Sequence, residues 1–330
     1  MKVLIVYNGI IPTPLYGGTS RVIWYLGNEL VKMGHKVSYL VNKGSSCPFA
    51  EVNTINPAKA IVEQIGDDVD LVHFNMIVPG IEQLKKPYVV TMHGNGNKDV
   101  ELPLNTIFVS RNHAERYASS SFVNNGLDWD DYMTPNLNEK RNYFHFLGKA
   151  AWKIKNVKGA IDIVKNTPNE RLKVLGGNRL NFKMGFRFTT SMRVSFHGMV
   201  GGEKKYQLLN GSKGLIFPVR WHEPFGLAIT ESLYYGCPVF GTPYGALPDL
   251  VSNEVGFLSN KQSDLVNAVK NSEQYSKTVC HQYAVDEFNS LVMAKSYVEK
   301  YEQVLNGDSL NATAPFQASP EKKKMLDWSV

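Results

Sequence analysis

Gly214-Leu215-Ile216-Phe217 is an apolar run of strand length, and shortly downstream stands Glu223-Pro224-Phe225-Gly226-Leu227-Ala228-Ile229-Thr230-Glu231. The run reads as a strand buried in a parallel sheet. The segment from Glu223 to Glu231 reads as the opening of a helix. Pro224 suits a helix start, Gly226 exposes backbone N–H groups, and Leu227 and Glu231, four apart, share one face. Strand, glycine-bearing turn and helix are the repeating unit of an α/β fold.

The same grammar extends in both directions. Upstream, residues 143–147, 172–175 and 194–197 read as strands, with a helix over 157–165; downstream, 238–240 reads as another strand. The first part of the chain repeats the pattern. Residues 3–7 form a strand-length run, Val22, Leu26, Leu30 and Met33 mark a helix ending at Gly34, and strands come next at 36–41, 71–74, 88–92 and 106–109. Strands separated by helices give right-handed crossovers and a doubly wound parallel sheet, here twice. The polar stretch 133–139 reads as the linker. The expected organisation is a first domain over 1–138, a second over 139–285, a helix within 286–305 carrying Leu291, Ala294, Val298, Tyr301 and Leu305, and a loosely held polar tail over 306–330 ending in Lys322-Lys323-Lys324.

Composition narrows the function classes. A length of 330 residues fits two domains rather than one core. With 43% apolar and 20% charged residues the chain is not disordered, and no apolar run approaches the ~18 residues of a membrane span. The apolar run at 3–7 is too short for a secretion signal. Cys47, Cys237 and Cys280 are scattered and lack metal spacing, which fits a reduced, cytoplasmic location. Asn311-Ala312-Thr313 reads as a chance sequon. The net charge of +6 is concentrated: residues 141–200 carry 12 Lys/Arg against 2 Asp/Glu, whereas 1–140 and 201–330 each carry 12 against 14. Such a block suits phosphate or the anionic inner face of a membrane, as a peripheral contact. No RNA- or DNA-binding module is visible beside its phenylalanines, so no nucleic-acid partner is expected.

Open α/β sheets bind ligands at the carboxyl ends of their strands, and two in tandem bring both sets to one cleft. Glu231 offers an acceptor for ribose hydroxyls, and Glu223 one for a second polyol such as a sugar ring; the bland alternatives are a surface side chain and a charge on the helix dipole. Pro14-Leu15-Tyr16-Gly17-Gly18-Thr19 joins the first strand to the first helix, where Gly17 and Gly18 allow close backbone approach and Thr19 or Ser20 can cap. The dinucleotide fingerprint Gly-x-Gly-x-x-Gly is absent there, against a dehydrogenase. Lys149 ends a strand of the second domain, and Lys153, Lys155 and Lys158 come after it. Lys149 with one later lysine can stabilise a departing diphosphate without a metal. His93, at a strand end beside Gly94, can donate to a hydroxyl or act as a base. Asp68-Val69-Asp70 and Asp128-Trp129-Asp130 match the Asp-x-Asp of metal-dependent transferases, but their placement reads as structural.

Together these motifs resemble the retaining GT-B glycosyltransferases of family 4, over roughly residues 1–305. The resemblance rests on the Glu-x7-Glu pair Glu223 and Glu231 around Pro224-Phe225-Gly226, on Gly17-Gly18, Thr91-Met92-His93-Gly94, Asn125-Gly126-Leu127-Asp128 and Phe146-Leu147-Gly148-Lys149. Val174-Leu175-Gly176-Gly177, Phe196-His197-Gly198 and Gly245-Ala246-Leu247-Pro248-Asp249 also match. It implies two Rossmann-like domains facing a central cleft, the second holding a nucleotide-sugar donor and the first the acceptor, with the last helix crossing back to the first domain. Glu231 is then the ribose ligand and Glu223 the contact to sugar hydroxyls. Pro224, Phe225, Gly226 and Leu227 border the sugar and diphosphate, as do Gly176 and Gly177. Lys149 stands where the family usually has Arg, without its planar fork. Lys155 is the favoured second cation and Lys158 the alternative. His93 contacts the donor sugar, and Gly17 and Gly18 border diphosphate and acceptor. The implied activity is metal-independent hexosyl transfer, with retention, from a nucleoside diphosphate (UDP favoured) to a saccharide or lipid-linked acceptor in polysaccharide or glycoconjugate biosynthesis, with no cofactor beyond the donor. The alternatives are a GT-B sugar-nucleotide epimerase or phosphorylase, and a non-catalytic sugar-nucleotide-binding protein.

Overall fold

Two parallel sheets organise the chain, and each is ordered by the position of its apolar runs. The computed structural model describes residues 1–13, 17–96, 100–182, 184, 186–317 and 325–330. These divide into two units, 1–129 with 288–317 and 130–287 with 325–330. The expected loop residues Pro14, Leu15 and Tyr16 and the tail lysines Lys322, Lys323 and Lys324 lie outside the described residues.

The first unit contains strands β1 (Lys2–Tyr7), β2 (Lys36–Val41), β3 (Glu51–Thr54), β4 (Leu71–Phe74), β5 (Tyr88–Met92) and β6 (Thr106–Phe108), with helices α1 (Gly18–Lys32) and α2 (Arg111–Glu115). The sheet order is β3-β2-β1-β4-β5-β6, all pairs parallel, which is the doubly wound order. β1 lies at its centre because its run Val3-Leu4-Ile5-Val6 is apolar on both faces and fully buried. β3 carries no apolar run to announce it; Glu51, Asn53 and Thr54 are exposed at the sheet edge. α1 buries Val22, Leu26 and Leu30 as expected and stops where Gly34 turns left-handed, at φ +87°. Its N-terminus differs from expectation. Gly17, which has no side chain to bond, takes the cap position, and the Ser20 hydroxyl is instead 3.0 Å from the Tyr7 hydroxyl.

The helix Ser290–Leu305 belongs to this first unit and packs on α1 and β5. Its contact is polar at the centre. His73 Nδ1 lies 2.7 Å from the Tyr301 hydroxyl and Nε2 2.7 Å from Thr91 Oγ1, which is itself 3.1 Å from the Tyr297 hydroxyl. Burial lowers the His73 pKa to about 3, so the imidazole is neutral, with one nitrogen donating and the other accepting.

The second unit contains β7 (Tyr143–Leu147), α3 (Val157–Lys165), β8 (Leu172–Leu175), β9 (Leu180–Asn181), β10 (Arg187–Phe188), β11 (Val194–Phe196) and α4 (Gly202–Asn210). It continues with β12 (Ser212–Phe217), α5 (Leu227–Tyr234), β13 (Val239–Gly241), α6 (Leu247–Leu250), β14 (Gly256–Leu258), α7 (Gln262–Lys270) and α8 (Lys277–Glu287). The parallel order β11-β8-β7-β12-β13-β14 repeats that of the first sheet once the antiparallel pair β9–β10 is set aside. Arg141, ahead of β7, donates to the carbonyls of Tyr235 (2.6 Å), Gly236 (2.8 Å) and Ser212 (3.0 Å), which places a cation at the C-terminus of α5. Buried His145 lies 2.7 Å from the Ser212 hydroxyl and 2.8 Å from that of Ser232, and burial pushes its pKa down to about 3.

Two expectations are corrected. Residues 133–139, read as a linker, pack within the second unit: Lys277 Nζ donates to the Leu137 and Glu139 carbonyls, each at 3.1 Å. The tail is not loose where it is described. Asn311 is buried, donating to the carbonyls of Leu104 (2.6 Å) and Thr106 (2.9 Å), so the sequon asparagine is a structural one. Leu326 exchanges bonds with Arg220, its N–H to the carbonyl (2.8 Å) and its carbonyl from the guanidinium (2.7 Å), and Ser329 bonds to Asn260 and Gln262. Polarity misleads here because these backbone groups satisfy each other.

His73, His113 and His145 all have pKa values lowered by burial to about 3, against 6.5 for the free side chain. The unfolded chain therefore takes up their protons first as pH falls below 6.5. Stability is complete above that value and is lost toward the folded-state pKa, at up to ~1.4 kcal/mol per pH unit for each group. Calorimetry is expected to show Tm falling progressively between pH 7 and pH 5; a flat Tm over that range contradicts the buried neutral state.

Candidate functional site

Backbone geometry after β12 places the first glutamate. Trp221 Nε1 donates to Glu223 Oε2 at 2.8 Å, and Lys155 Nζ lies 2.5 Å from the same oxygen. The Glu223 backbone is pressed against Gly245, where a Cβ would fall 2.2 Å from the Glu223 nitrogen at a φ of +63°. Ala246 N–H then donates to the Glu223 carbonyl at 2.9 Å. Gly226 is left-handed, with φ +101°, and a Cβ there would meet Ile229 Cδ1 at 3.0 Å and Glu223 Cγ at 3.2 Å. Both positions require glycine. The helix begins at Leu227 with Gly226 as its cap, so Pro224 precedes the helix instead of opening it. Phe225 turns into the core.

Glu231, on α5, is only 3% exposed. Its Oε1 accepts from the Tyr132 hydroxyl at 2.9 Å and from Lys205 Nζ at 2.6 Å. Lys205, on α4, is itself buried, its ammonium 5.6 Å from the ring centre of Tyr132 and 5.3 Å from that of Tyr206. Each glutamate of the pair thus has its own largely buried lysine, an arrangement a carboxylate needs when it leaves water.

The lysines after β7 separate by environment. Lys155 ends a single 3₁₀ turn, Lys153–Lys155. The next residue, Asn156, is left-handed, accepts from Gly159 N–H at 3.1 Å and donates to the Pro218 carbonyl at 2.9 Å. Arg220 N–H donates to the Ile154 carbonyl at 2.7 Å. These bonds fasten the Lys155 turn to the segment after β12, and its ammonium sits 4.8 Å from the Trp221 ring and 5.3 Å from that of Phe217. Lys158 lies apart, 79% exposed and paired with Asp162 at 2.5 Å along α3. Lys149 is exposed at the end of β7, 4.9 Å from the Trp152 ring centre.

Glycines draw three loops together beside it. Gly148 N–H donates to Leu175 O (2.9 Å), Ala150 N–H to Gly176 O (2.9 Å), and Gly176 N–H to Gly198 O (2.6 Å). A Cβ on Gly176 would lie 2.0 Å from the Gly148 carbonyl oxygen, and one on Gly177 2.5 Å from Ala150 Cβ. The Gly148-Lys149, Gly176-Gly177 and Gly198 motifs therefore converge at the carboxyl ends of β7, β8 and β11.

In the first unit His93 comes directly after β5, and its Nε2 is 2.8 Å from Asn75 Oδ1. The Asn75 amide is turned by its Nδ2 donating to the Val6 carbonyl at 3.4 Å, so Oδ1 faces the histidine and Nε2 carries the proton. Burial lowers the His93 pKa to about 4, leaving Nδ1 as the basic nitrogen of a neutral ring. Of the Asp-x-Asp strings, Asp70 accepts from Lys2 N–H at 2.7 Å and Asp128 lies 3.4 Å from Lys32 Nζ. Sequence reasoning missed Trp221, Lys205, Tyr132 and Asn75; the last three act through partners on other elements, and Trp221 bonds Glu223 two residues on in the segment after β12.

Residues 130–279 match the family model described as glycosyl transferases group 1. A protein of Klebsiella pneumoniae described as "Uncharacterized 41.2 kDa protein in cps region" is 29% identical over 115 residues, which is 33% of this chain and 32% of that protein, so the match spans about a third of that relative's length. Among solved structures, AviGT4, a glycosyltransferase involved in avilamycin A biosynthesis, superposes with a TM-score of 0.72 at 20% identity, covering 93% of this chain and 98% of that one. Anabaena Alr3699/HepE in complex with UDP and glucose superposes with a TM-score of 0.67 at 15% identity, covering 92% and 100%. These likenesses establish the fold as that of the GT-B glycosyltransferases, with two Rossmann-like domains.

Removing the Lys205 ammonium strands a buried carboxylate. Lys205→Met is expected to cost about 3–5 kcal/mol in urea unfolding, and the double variant Lys205→Met/Glu231→Gln to recover part of that loss. Equal stability of the two variants would show that Lys205 does not compensate Glu231.

Proposed function

We propose that the protein is a retaining glycosyltransferase of family 4 that moves a hexose from a nucleoside diphosphate, UDP by preference, to a hydroxyl of a saccharide or lipid-linked acceptor. The setting we infer is polysaccharide or glycoconjugate biosynthesis. The observation that carries this reading is the pair Glu223 and Glu231, both buried, set on either side of a left-handed glycine at a helix N-terminus and each matched to a lysine. The pair falls inside the stretch matched by the glycosyltransferase model.

A nucleotide sugar asks for three things of such a site. Its ribose needs hydroxyl acceptors, its diphosphate needs donors and positive charge, and its sugar ring needs further acceptors. Glu231 is assigned to the ribose. Lys155 and Lys149, with the N–H groups at Gly226 and Leu227, are assigned to the diphosphate, with the glycine loops at Gly176-Gly177 beside it. Glu223, with Lys155 on one of its oxygens, is assigned to the sugar hydroxyls. An ammonium and a carboxylate in contact suit the junction between phosphate and sugar, since one group takes phosphate oxygens while its neighbour takes hydroxyl protons.

The departing diphosphate gathers negative charge as the bond to the anomeric carbon breaks. The lysines and the dipole of α5 stabilise that charge, which is how the transfer proceeds without a metal in this reading. With no carboxylate nucleophile assigned to the reacting face, the acceptor oxygen attacks from the side the phosphate leaves, and a phosphate oxygen takes the acceptor's proton. The first unit is assigned the acceptor, with Gly17 and Gly18 bordering diphosphate and acceptor, and His93 is assigned to the donor sugar. His93 Nδ1 acts as a hydrogen-bond acceptor, because Nε2 is engaged by Asn75.

A thermal-shift screen against UDP, GDP, ADP and their common sugars is expected to show UDP or a UDP-sugar raising Tm, with the shift lost in Glu231→Ala. Full donor affinity in that variant would overturn the ribose assignment. With the stabilising donor and its acceptor, Lys155→Ala is expected to lower kcat by about 10²–10³-fold. NMR of the first product formed is expected to show the anomeric configuration of the donor, and EDTA to leave the rate unchanged. Inverted product, or activity lost in EDTA and restored by Mn²⁺, would reject the mechanism.

A further inference from the structure

Residues 178–193, between the Gly176-Gly177 loop and β11, are unaccounted for by the donor site. Within this stretch the hairpin β9–β10 exposes Phe182, Phe186 and Phe188 at 73%, 72% and 56%, with Met184 at 61%, and Met192 beyond the hairpin is 92% exposed. Phe182 and Phe186 pair with each other, ring centres 5.8 Å apart. Isolated exposed apolar residues need no explanation, but five large ones within eleven positions do.

The charge around them is one-signed. From Glu170 to Glu203 the chain has no acidic residue, while Arg171, Lys173, Arg179, Lys183, Arg187 and Arg193 fall between them. The arginines in and beside the hairpin bond mainly to carbonyls. Arg179 donates to Thr189 O (2.7 Å), Ser191 O (3.1 Å) and Val194 O (2.5 Å), Arg187 to Asn178 O (3.1 Å), and Arg193 to Lys165 O (2.6 Å) and Thr167 O (2.8 Å). A carbonyl fixes a guanidinium without cancelling its charge. The hairpin thus exposes large apolar side chains, and among the described residues Arg171, Lys173, Arg179, Arg187 and Arg193 have no ion-pair partner.

We infer that this hairpin is an interfacial anchor that seats the second unit on an anionic lipid bilayer. Aromatic and methionine side chains insert into the headgroup–acyl boundary, while these cations meet acidic headgroups; either contribution alone binds weakly and the two together suffice. The lipid surface is favoured over single-stranded nucleic acid because Met184 and Met192, exposed among the phenylalanines, offer no flat face on which a base stacks. It is favoured over a protein because the exposed apolar residues lie in a stretch with cations and no acidic residue between Glu170 and Glu203, which suits an anionic apolar phase. Membrane seating by this hairpin is independent of the sugar-transfer reading, and its test requires no activity.

The test is co-sedimentation of the full chain with vesicles of phosphatidylcholine alone and of phosphatidylcholine with phosphatidylglycerol. The expected result is preferential binding to the anionic vesicles, weakened by 0.5 M NaCl and reduced about tenfold by Phe182→Asn/Phe186→Asn. Both substituted side chains are largely in solvent, so the variant is expected to keep the parent Tm, and a matching thermal melt verifies this. Binding to anionic vesicles that is equal in parent and variant would overturn the anchor. So would absence of vesicle binding, whether accompanied by a dimer in sedimentation velocity that the variant abolishes, which assigns the patch to a second copy, or by an RNA gel shift that the variant abolishes.

Discussion

Carboxylates stay charged inside a protein only when something compensates them, and the second unit is arranged around that requirement. Glu223 and Glu231 are buried on one short stretch of chain, and their counter-charges arrive from different directions, Lys155 from the turn after β7 and Lys205 from α4. Each lysine must be delivered by the fold. Arg220 and Asn156 fasten the Lys155 turn to the segment after β12, while Tyr132 and Tyr206 give Lys205 aromatic faces to lie against. Remove the tertiary structure and two carboxylates and two ammonium groups would all return to water.

A second constraint is steric. Where the loops at the carboxyl ends of the strands meet, there is no room for side chains: Gly176 lies against the Gly148 carbonyl, Gly177 against Ala150, Gly245 against the Glu223 backbone. The glycines let neighbouring loops bond N–H to carbonyl at the strand ends. Motifs scattered from Gly148 to Gly245 in the chain are thus parts of one packing arrangement.

The first unit solves its equivalent problem with neutral groups. His73 joins Thr91 and Tyr301 in the core between β4, β5 and the helix Ser290–Leu305, and burial keeps it uncharged. His93 is held by Asn75 in the same way, which fixes its tautomer. A histidine that looks from the sequence like a titrating acid or base is here a neutral ring with one defined acceptor. The tail obeys the same rule: its polarity suggested looseness, yet Asn311 and Leu326 are tied down because polar groups can be buried whenever partners exist.

Alternation of apolar runs with helical periodicity was enough to read both parallel sheets apart from the edge strands β3 and β14, since a strand buried on both faces cannot be written without such a run. The edge strand β3, solvated and polar, carried no such mark. Glu223, Glu231, Gly226 and the lysine cluster were legible because each sits at a fixed spacing along one strand–turn–helix. Only the tertiary structure decided which lysine meets Glu223, sending Lys158 to Asp162 on the outer face of α3 and Lys155 to the carboxylate. It alone revealed Lys205, Tyr132 and Asn75, because a hydrogen bond or ion pair between elements depends on where two backbones come to rest, and that is fixed by packing rather than by order along the chain.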